Sequence, residues 1–123
     1  MSVNGLNTSL SGLYANQLRQ DVSANNVANV NTDGFKASTV QTADAAYVND
    51  IGQGTRVTGT YTPNRPGPVT ADESAPGGMR ELSNTDMVQE MTSQMSARNA
   101  YGVNIAVART VDETSQTLMD LKA

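Results

Sequence analysis

The carboxylates are the side chains best suited to chemistry in this 123-residue sequence, which contains no His and no Cys. The chain therefore lacks the commonest general base, the commonest transition-metal ligand and a thiol nucleophile. A cell-wall hydrolase would need a positioned acid such as Asp86 or Glu90, but both lie beside the seam of a predicted helix. The other acids are scattered, without the spacing of a calcium loop. We predict no enzyme activity, no cofactor and no metal site.

Asparagine amides are a second group with a specific binding chemistry. Asn25, Asn26 and Asn104 fall within predicted helices, where asparagine is a poor interior residue because its amide competes for backbone hydrogen bonds. Two interpretations are open. These amides lie on a solvated polar face, or they fix the helix register by hydrogen bonding across an interface.

A methionine stripe is the third feature. Met87, Met91 and Met95 share one helical face. Methionine is flexible and polarisable, so the stripe is either a plastic binding surface or ordinary packing within a helical seam. In both interpretations this face contacts protein.

An N-terminal helix must position the first asparagine pair. Apolar side chains recur with helical spacing over residues 3–22, and the pattern predicts a helix over about 2–31. The sequence NVNTDG at 29–34 is typical of a helix end, because Asn tolerates the left-handed region and Gly adopts it almost freely. Gly5 and Gly12 weaken this helix, each by about 1 kcal/mol relative to Ala.

A longer C-terminal helix carries the methionines. Ser83 and Asp86 have the spacing of a capping box, which predicts a helix over 84–121. A heptad-like seam of small, polar and apolar residues follows the methionine stripe, at positions 97, 100, 104, 107, 111, 114, 118 and 121. Such a helix spans about 57 Å, too long to bury its face within a globule of this size.

The middle of the chain lacks helical periodicity. The stretch 55–62 is rich in β-forming residues, and 39–42 is a weaker strand candidate. Four prolines between 63 and 76 indicate turns and extended chain, and 75–78 reads as a joint before the second helix. We predict a mainly α fold in which two long terminal helices pack as an antiparallel hairpin or coiled coil around a short β-hairpin and loops. It forms one structural unit of three segments: 1–34, 35–82 and 83–123.

The composition limits what this unit can do. Leu, Ile, Val and Phe account for only 22 of the 123 residues, so the chain is short of core material and favours completion by neighbours. The net charge of −4 without a basic cluster argues against nucleic acid. We expect no membrane-spanning segment and no cleavable signal peptide.

The two ends of the sequence resemble a known family. Residues 24–29 read ANNVAN and residues 31–36 read NTDGFK, and the stretch 11–36 closely resembles the N-terminal signature of bacterial flagellar basal-body rod and hook proteins. The C-terminal run EMTSQMSARNAYGVN at 90–104, together with the later TVDE at 110–113, resembles the same family's C-terminal motif. The short length is similar to that of proximal rod proteins.

The resemblance implies a structural subunit of the flagellar basal-body rod. In that family the terminal helices assemble helically with other copies and with other rod or hook subunits into a hollow, torque-transmitting shaft. The subunits reach the periplasm through the type III export apparatus without signal cleavage. The alternative is a small export-associated adaptor or cap that binds other axial proteins through the methionine face.

We predict an assembly interface from the apolar stripes and the matched motifs together. Its residues are Leu6, Leu10, Leu13, Leu18, Val22, Asn25, Asn26, Asn29, Gly34, Met91, Met95, Tyr101, Asn104, Val107, Val111, Leu118 and Leu121.

Overall fold

A computed structural model describes residues 2–45, 47–48, 51–52 and 54–122 of the chain. Met1 and Ala123, which end the predicted segments 1–34 and 83–123, lie outside the described residues. The elements in chain order are α1 (Ser2–Ala28), β1 (Thr39–Asp44), β2 (Tyr47–Val48), β3 (Ile51–Gly52), β4 (Thr55–Tyr61), β5 (Val69–Ala71), a 3₁₀ turn (Pro76–Gly78), β6 (Met79–Glu81) and α2 (Met87–Lys122).

Helix α1 ends at Ala28, three residues before its predicted end. The N–H of Asn29 is shared between the carbonyl oxygens of Asn25 and Asn26, both at 3.2 Å, and this mixed pattern closes the last turn. The chain then turns, and Gly34 adopts a φ of 69°. A glycine in the left-handed region is what the sequence predicted for this turn.

Helix α2 begins at Met87, three residues after its predicted start. Asp86 is the N-cap, because its Oδ1 accepts the N–H groups of Val88 at 3.0 Å and Gln89 at 3.2 Å. The predicted pairing of Ser83 with Asp86 in a capping box is wrong. Ser83 is buried ahead of the helix and hydrogen-bonds locally, so the cap moves to the aspartate.

The predicted β-hairpin is confirmed. Strands β1 and β4 pair antiparallel, with Val40 opposite Thr60 and Thr42 opposite Val57. The register shifts after Gln41, which leaves Thr58 as the extra residue of a bulge whose Oγ1 donates to the Gln41 carbonyl at 3.1 Å.

Two further antiparallel strand pairs were not predicted from the sequence. Strand β2 pairs with β3 between β1 and β4, and β5 pairs with β6 just before α2. The joint at 75–78 forms the 3₁₀ turn, in which Gly77 and Gly78 both have positive φ. These pairs are only two or three residues long, below the length at which alternation can be read in a sequence.

The two helices pack against each other in antiparallel directions, which confirms the predicted helical hairpin. Gly5 lies against Val111, and Gly12 lies against Asn104. The buried side chains of the described residues are small or polar. They are Ser9, Ala15, Asn16, Ser23, Asn26, Ser83, Asn84 and Ala97. The division of this single unit into three segments stays a prediction.

Candidate assembly interface

The seam between α1 and α2 is made of small and polar residues. On α1 the seam positions follow an alternation of four and three residues that skips one position between Asn16 and Ser23. They hold Gly5, Ser9, Gly12, Asn16, Ser23 and Asn26. The positions of α2 that are not exposed keep the same alternation, with Ala100 added beside Tyr101: they are Glu90, Gln94, Ala97, Ala100, Tyr101, Asn104, Ala108, Val111 and Ser115. Small side chains let the helix axes approach closely, as in knobs-into-holes packing.

The α2 seam differs in phase from the predicted one beyond Asn104. Positions 97, 100, 104 and 111 are shared, but predicted positions 107 and 114 are exposed and lie one residue before the half-buried 108 and 115. The prediction followed apolar residues such as Val107, which is exposed. The physical reason is that this pair of helices buries its small residues and leaves its larger apolar residues outside.

Gly12 and Asn104 form the closest approach in the seam. A Cβ built on Gly12 would lie 2.8 Å from Asn104 Nδ2 and 3.1 Å from both Asn104 Cγ and Oδ1. The whole amide group therefore lies against the α1 backbone at this point. The sequence marked Gly12 only as a weak position, whereas the structure gives it a packing role.

Asn26 connects three elements. This side chain is 1% exposed. Its Nδ2 donates to Glu90 Oε1 at 3.0 Å and to the Ser38 carbonyl at 2.8 Å, and its Oδ1 accepts the Ser38 N–H at 2.9 Å. It therefore fastens α1 to the start of α2 and to the chain entering β1. The register-fixing interpretation describes Asn26. Asn25 is exposed, and its side-chain and backbone oxygens accept hydrogen bonds from Asn29 in its own turn.

The hairpin is attached to a different side of α1. Arg19 Nη2 donates to Thr42 Oγ1 at 3.0 Å, and the Thr55 N–H donates to Ser11 Oγ at 3.2 Å. Gly54 approaches α1 so closely that a Cβ there would lie 2.2 Å from Ser11 Oγ. Helix α1 thus has one side on α2, one side on the hairpin and a remaining free side.

A polar clasp joins the turn after α1 to the segment before α2, and we define it as Lys36, Gly67, Glu81 and Asn84. Lys36 Nζ donates to the Glu81 carboxylate, which also accepts the Gly67 N–H at 3.0 Å. The hydrogen bond from Lys36, followed by that from Gly67, lowers the pKa of Glu81. The clasp closes the base of the helical hairpin.

Asn84 completes the clasp with hydrogen bonds at both ends of its amide. Its Oδ1 accepts the Ala37 N–H at 2.7 Å, and its Nδ2 donates to the Arg65 carbonyl at 2.9 Å. Gly67 fits here because it lacks a side chain: a Cβ would lie 2.1 Å from the Leu82 carbonyl oxygen. Sequence reasoning missed the clasp, since its members are up to about 50 positions apart.

The structure distributes the predicted interface residues over three environments. Asn26 is buried. Half-buried positions are Leu13, Leu18, Val22, Asn29, Tyr101, Asn104 and Val111. Exposed positions are Leu6, Leu10, Asn25, Gly34, Met91, Met95, Val107, Leu118 and Leu121. The intramolecular seam thus uses Asn26, Tyr101, Asn104 and Val111, and the exposed set is left for other contacts.

The acids that could have served catalysis take part in structural contacts. Asp86 caps α2, and Glu90 accepts the Asn26 amide. Within the described ranges, no group of three or more Asp or Glu side chains is arranged to hold a metal ion. Neither helix, over the residues described, combines the length and apolar character that crossing a bilayer requires.

Comparisons with known proteins agree with both ends of the fold. Residues 6–36 match the family model described as flagella basal body rod protein, and residues 77–121 match that described as flagellar basal body rod FlgEFG protein C-terminal. The chain belongs to the flagellar basal-body rod protein family, which is a structural family and not a class of enzymes. It is 31% identical to the flagellar basal-body rod protein FlgC of Borreliella burgdorferi over 131 residues, which cover 83% of this chain and 85% of that protein.

These matches confirm the resemblance that the terminal sequence motifs indicated. A member of this family is a structural subunit located at the flagellar basal body. The matched ranges contain most of α1 with its following turn, most of the 3₁₀ turn, β6 and nearly all of α2. The family signature therefore coincides with the two helices and the seam between them.

Proposed function

We propose that the chain assembles helically through its terminal helices, with copies of itself and with other rod and hook subunits, into the hollow torque-transmitting shaft. One observation carries this proposal: the large apolar side chains lie outside the two-helix unit. Leu10 is 51% exposed and Leu118 is 61% exposed, whereas the buried side chains are those of Ala, Ser and Asn. Monomeric proteins rarely leave such stripes uncovered.

The distribution of charge supports the same proposal. No charged residue precedes Arg19, so the first two-thirds of α1 carry none. Leu6, Leu10 and Tyr14 recur every four residues along that stretch and are all exposed. Covering an uncharged surface avoids the desolvation cost of charges, and each 100 Å² of buried apolar surface contributes about 2.5 kcal/mol.

The same features suit export before assembly. A seam of small and polar residues contributes little hydrophobic stability, so the helices depend on later packing. A chain without cysteine cannot form disulfides when it enters an oxidising compartment. We propose passage through the flagellar type III export apparatus without signal cleavage, followed by folding on the growing rod in the periplasm. The short middle segment favours a place in the proximal rod.

The test is the composition of purified hook–basal bodies. In a motile bacterium encoding this chain, mass spectrometry is expected to find it in basal bodies in several copies, and deletion is expected to abolish motility. A complemented deletion strain is the matched control. Basal bodies that lack the chain in the motile parent would overturn the proposal.

A second candidate is supported by the methionine stripe. Met91 and Met95 are 56% and 66% exposed, as expected of a plastic surface that holds another axial protein. Such an adaptor would form a low-order complex in the cytoplasm. Size measurement of the cytoplasmic pool, together with the copy number in basal bodies, distinguishes an adaptor from a rod subunit.

A further inference from the structure

A cleft of about 350 Å³ opens between α1, the start of α2 and the hairpin. Its apolar wall includes Val22, Val40 and Pro63. Besides uncharged polar residues, four charged residues line the cleft: Arg19, Arg65, Asp86 and Glu90. The intramolecular contacts described above leave this space unfilled.

The charged groups of the cleft retain bonding capacity. Asp86 caps α2 through Oδ1, and Glu90 accepts Asn26 through Oε1, so each carboxylate has a second oxygen outside these bonds. The Arg65 guanidinium has no hydrogen-bond or ion-pair partner among the described residues. The cleft therefore offers an apolar wall beside carboxylate oxygens and a guanidinium.

The far end of α2 has the complementary composition. Every residue from 116 to 122 is exposed. Leu118, Leu121 and Lys122 have i, i+3, i+4 spacing and share one face. This face presents two leucines and an ammonium.

The two features lie at opposite ends of the helical hairpin. Glu90 faces Asn26 at the base, and Val111 faces Gly5 near the other end. Leu121 lies 28 positions after the cleft residue Ser93 in α2, about 42 Å along the axis. The end of α2 therefore cannot fill the cleft of its own chain.

We propose that the cleft receives the C-terminal end of α2 from a second copy of this chain. Leu118 and Leu121 lie against Val22, Val40 and Pro63, and the Lys122 ammonium pairs with the free oxygens of Asp86 and Glu90. The proposal rests on the proposed function, and it names the contact between successive copies.

The contact is heterologous, because the two surfaces that meet are different. An interface of this type does not close on itself unless its rotation forms a ring, and otherwise it generates a helical filament. A cleft of this size also falls at the lower end of the range for small ligands, about 300–1,000 Å³. An unattached small molecule is therefore the competing occupant, and the experiment distinguishes it from the helix end.

The experiment is disulfide trapping in basal bodies. The native chain has no cysteine, so it contributes no background disulfides. The variant carrying both Ser93→Cys and Leu121→Cys is expressed as the only copy, and isolated basal bodies are treated with a mild oxidant. Both positions are exposed, so the substitutions leave the fold intact. A ladder of covalent dimers and higher multimers is expected, since each chain has one cysteine of each type.

Matched controls define the specificity. Each single variant is expected to remain monomeric on a denaturing gel. The combination of Leu121→Cys with Met79→Cys, an equally exposed position in β6, is also expected to give no ladder. A dimer from either single variant would indicate a symmetric contact and overturn the proposal.

The experiment distinguishes a failure of the proposed docking contact from a failure of the proposed rod function. If the double variant is present in basal bodies without forming a ladder, the docking proposal is wrong and the rod function stands. If the unmodified chain is absent from the basal bodies of motile cells, both fail. A small molecule that co-purifies with the cleft and blocks trapping would also overturn the docking proposal.

Discussion

Gly12 lies directly beneath the amide of Asn104, and a Cβ at position 12 would fall 2.8 Å from Asn104 Nδ2. This contact sets the distance between α1 and α2 midway along the seam. The other buried seam residues are also small. If the Asn104 amide were displaced, few large side chains would be available to replace its contacts between the two helices.

Gly12→Ala is therefore expected to destabilise the folded chain, although alanine is the better helix former. Overpacking at a close contact costs about 1–3 kcal/mol. Urea unfolding followed by circular dichroism measures the effect. Gly102→Ala is the matched control: no atom lies within 4 Å of its Cβ position, so we expect a gain of about 1 kcal/mol. Equal stabilisation by both substitutions would contradict the packing role.

Asn26→Ala is expected to lower the free energy of unfolding by about 1–3 kcal/mol, because it removes three hydrogen bonds and leaves the Ser38 backbone groups without their amide partner. Asn25→Ala is the control at an exposed neighbour and should change stability by no more than about 0.5 kcal/mol. The same unfolding assay applies. Similar losses for the two variants would show that the amide of Asn26 does not fasten the helices.

The clasp predicts a pH dependence of stability. The pKa of Glu81 is lowered in the folded chain, chiefly by the hydrogen bond from Lys36. A depressed carboxylate pKa contributes stability above the unfolded-state value, and this contribution is lost as the pH falls through the folded-state value. We expect Glu81→Gln to flatten the decline in unfolding free energy as the pH falls below 4.5, the ordinary pKa of a glutamate.

Glu73→Gln is the control for the clasp, since Glu73 is exposed and outside it. This variant should keep the parent's decline over the same pH range. High salt should reduce the difference between Glu81→Gln and the parent at neutral pH, because the Lys36–Glu81 pair is partly exposed to solvent. An unchanged pH profile in Glu81→Gln would show that the ion pair contributes nothing to folding.

The parts of this fold that could be predicted are those that depend on residues close together in the sequence. Helical spacing revealed α1 and α2, and β-forming residues revealed the hairpin, because these signals are local. The phase of the α2 seam was off by one position at 107 and 114. The rule that apolar side chains face inward fails in a subunit whose interior is Ala, Ser and Asn.

The clasp could not be predicted because its signal is not local. Lys36 and Glu81 are 45 positions apart, and each reads as an ordinary solvated charge in the sequence. Gly67 lies in a proline-rich stretch, where a glycine indicates only a turn. Asn26 was recognised as unusual because an amide inside a helix conflicts with propensity, yet its partner Glu90 was assigned only by the structure.

The exposed stripe of α1 gives the last prediction. Leu10 is 51% exposed, so Leu10→Gln should change the stability of the isolated chain by no more than about 0.5 kcal/mol. In the assembled rod the same side chain is expected to be covered, and a buried amide without a partner costs about 1–3 kcal/mol per copy. We therefore expect reduced incorporation into basal bodies and reduced swarming. Met79→Gln, at a comparably exposed position in β6, should preserve both. Normal incorporation of Leu10→Gln would show that this face of α1 stays in solvent.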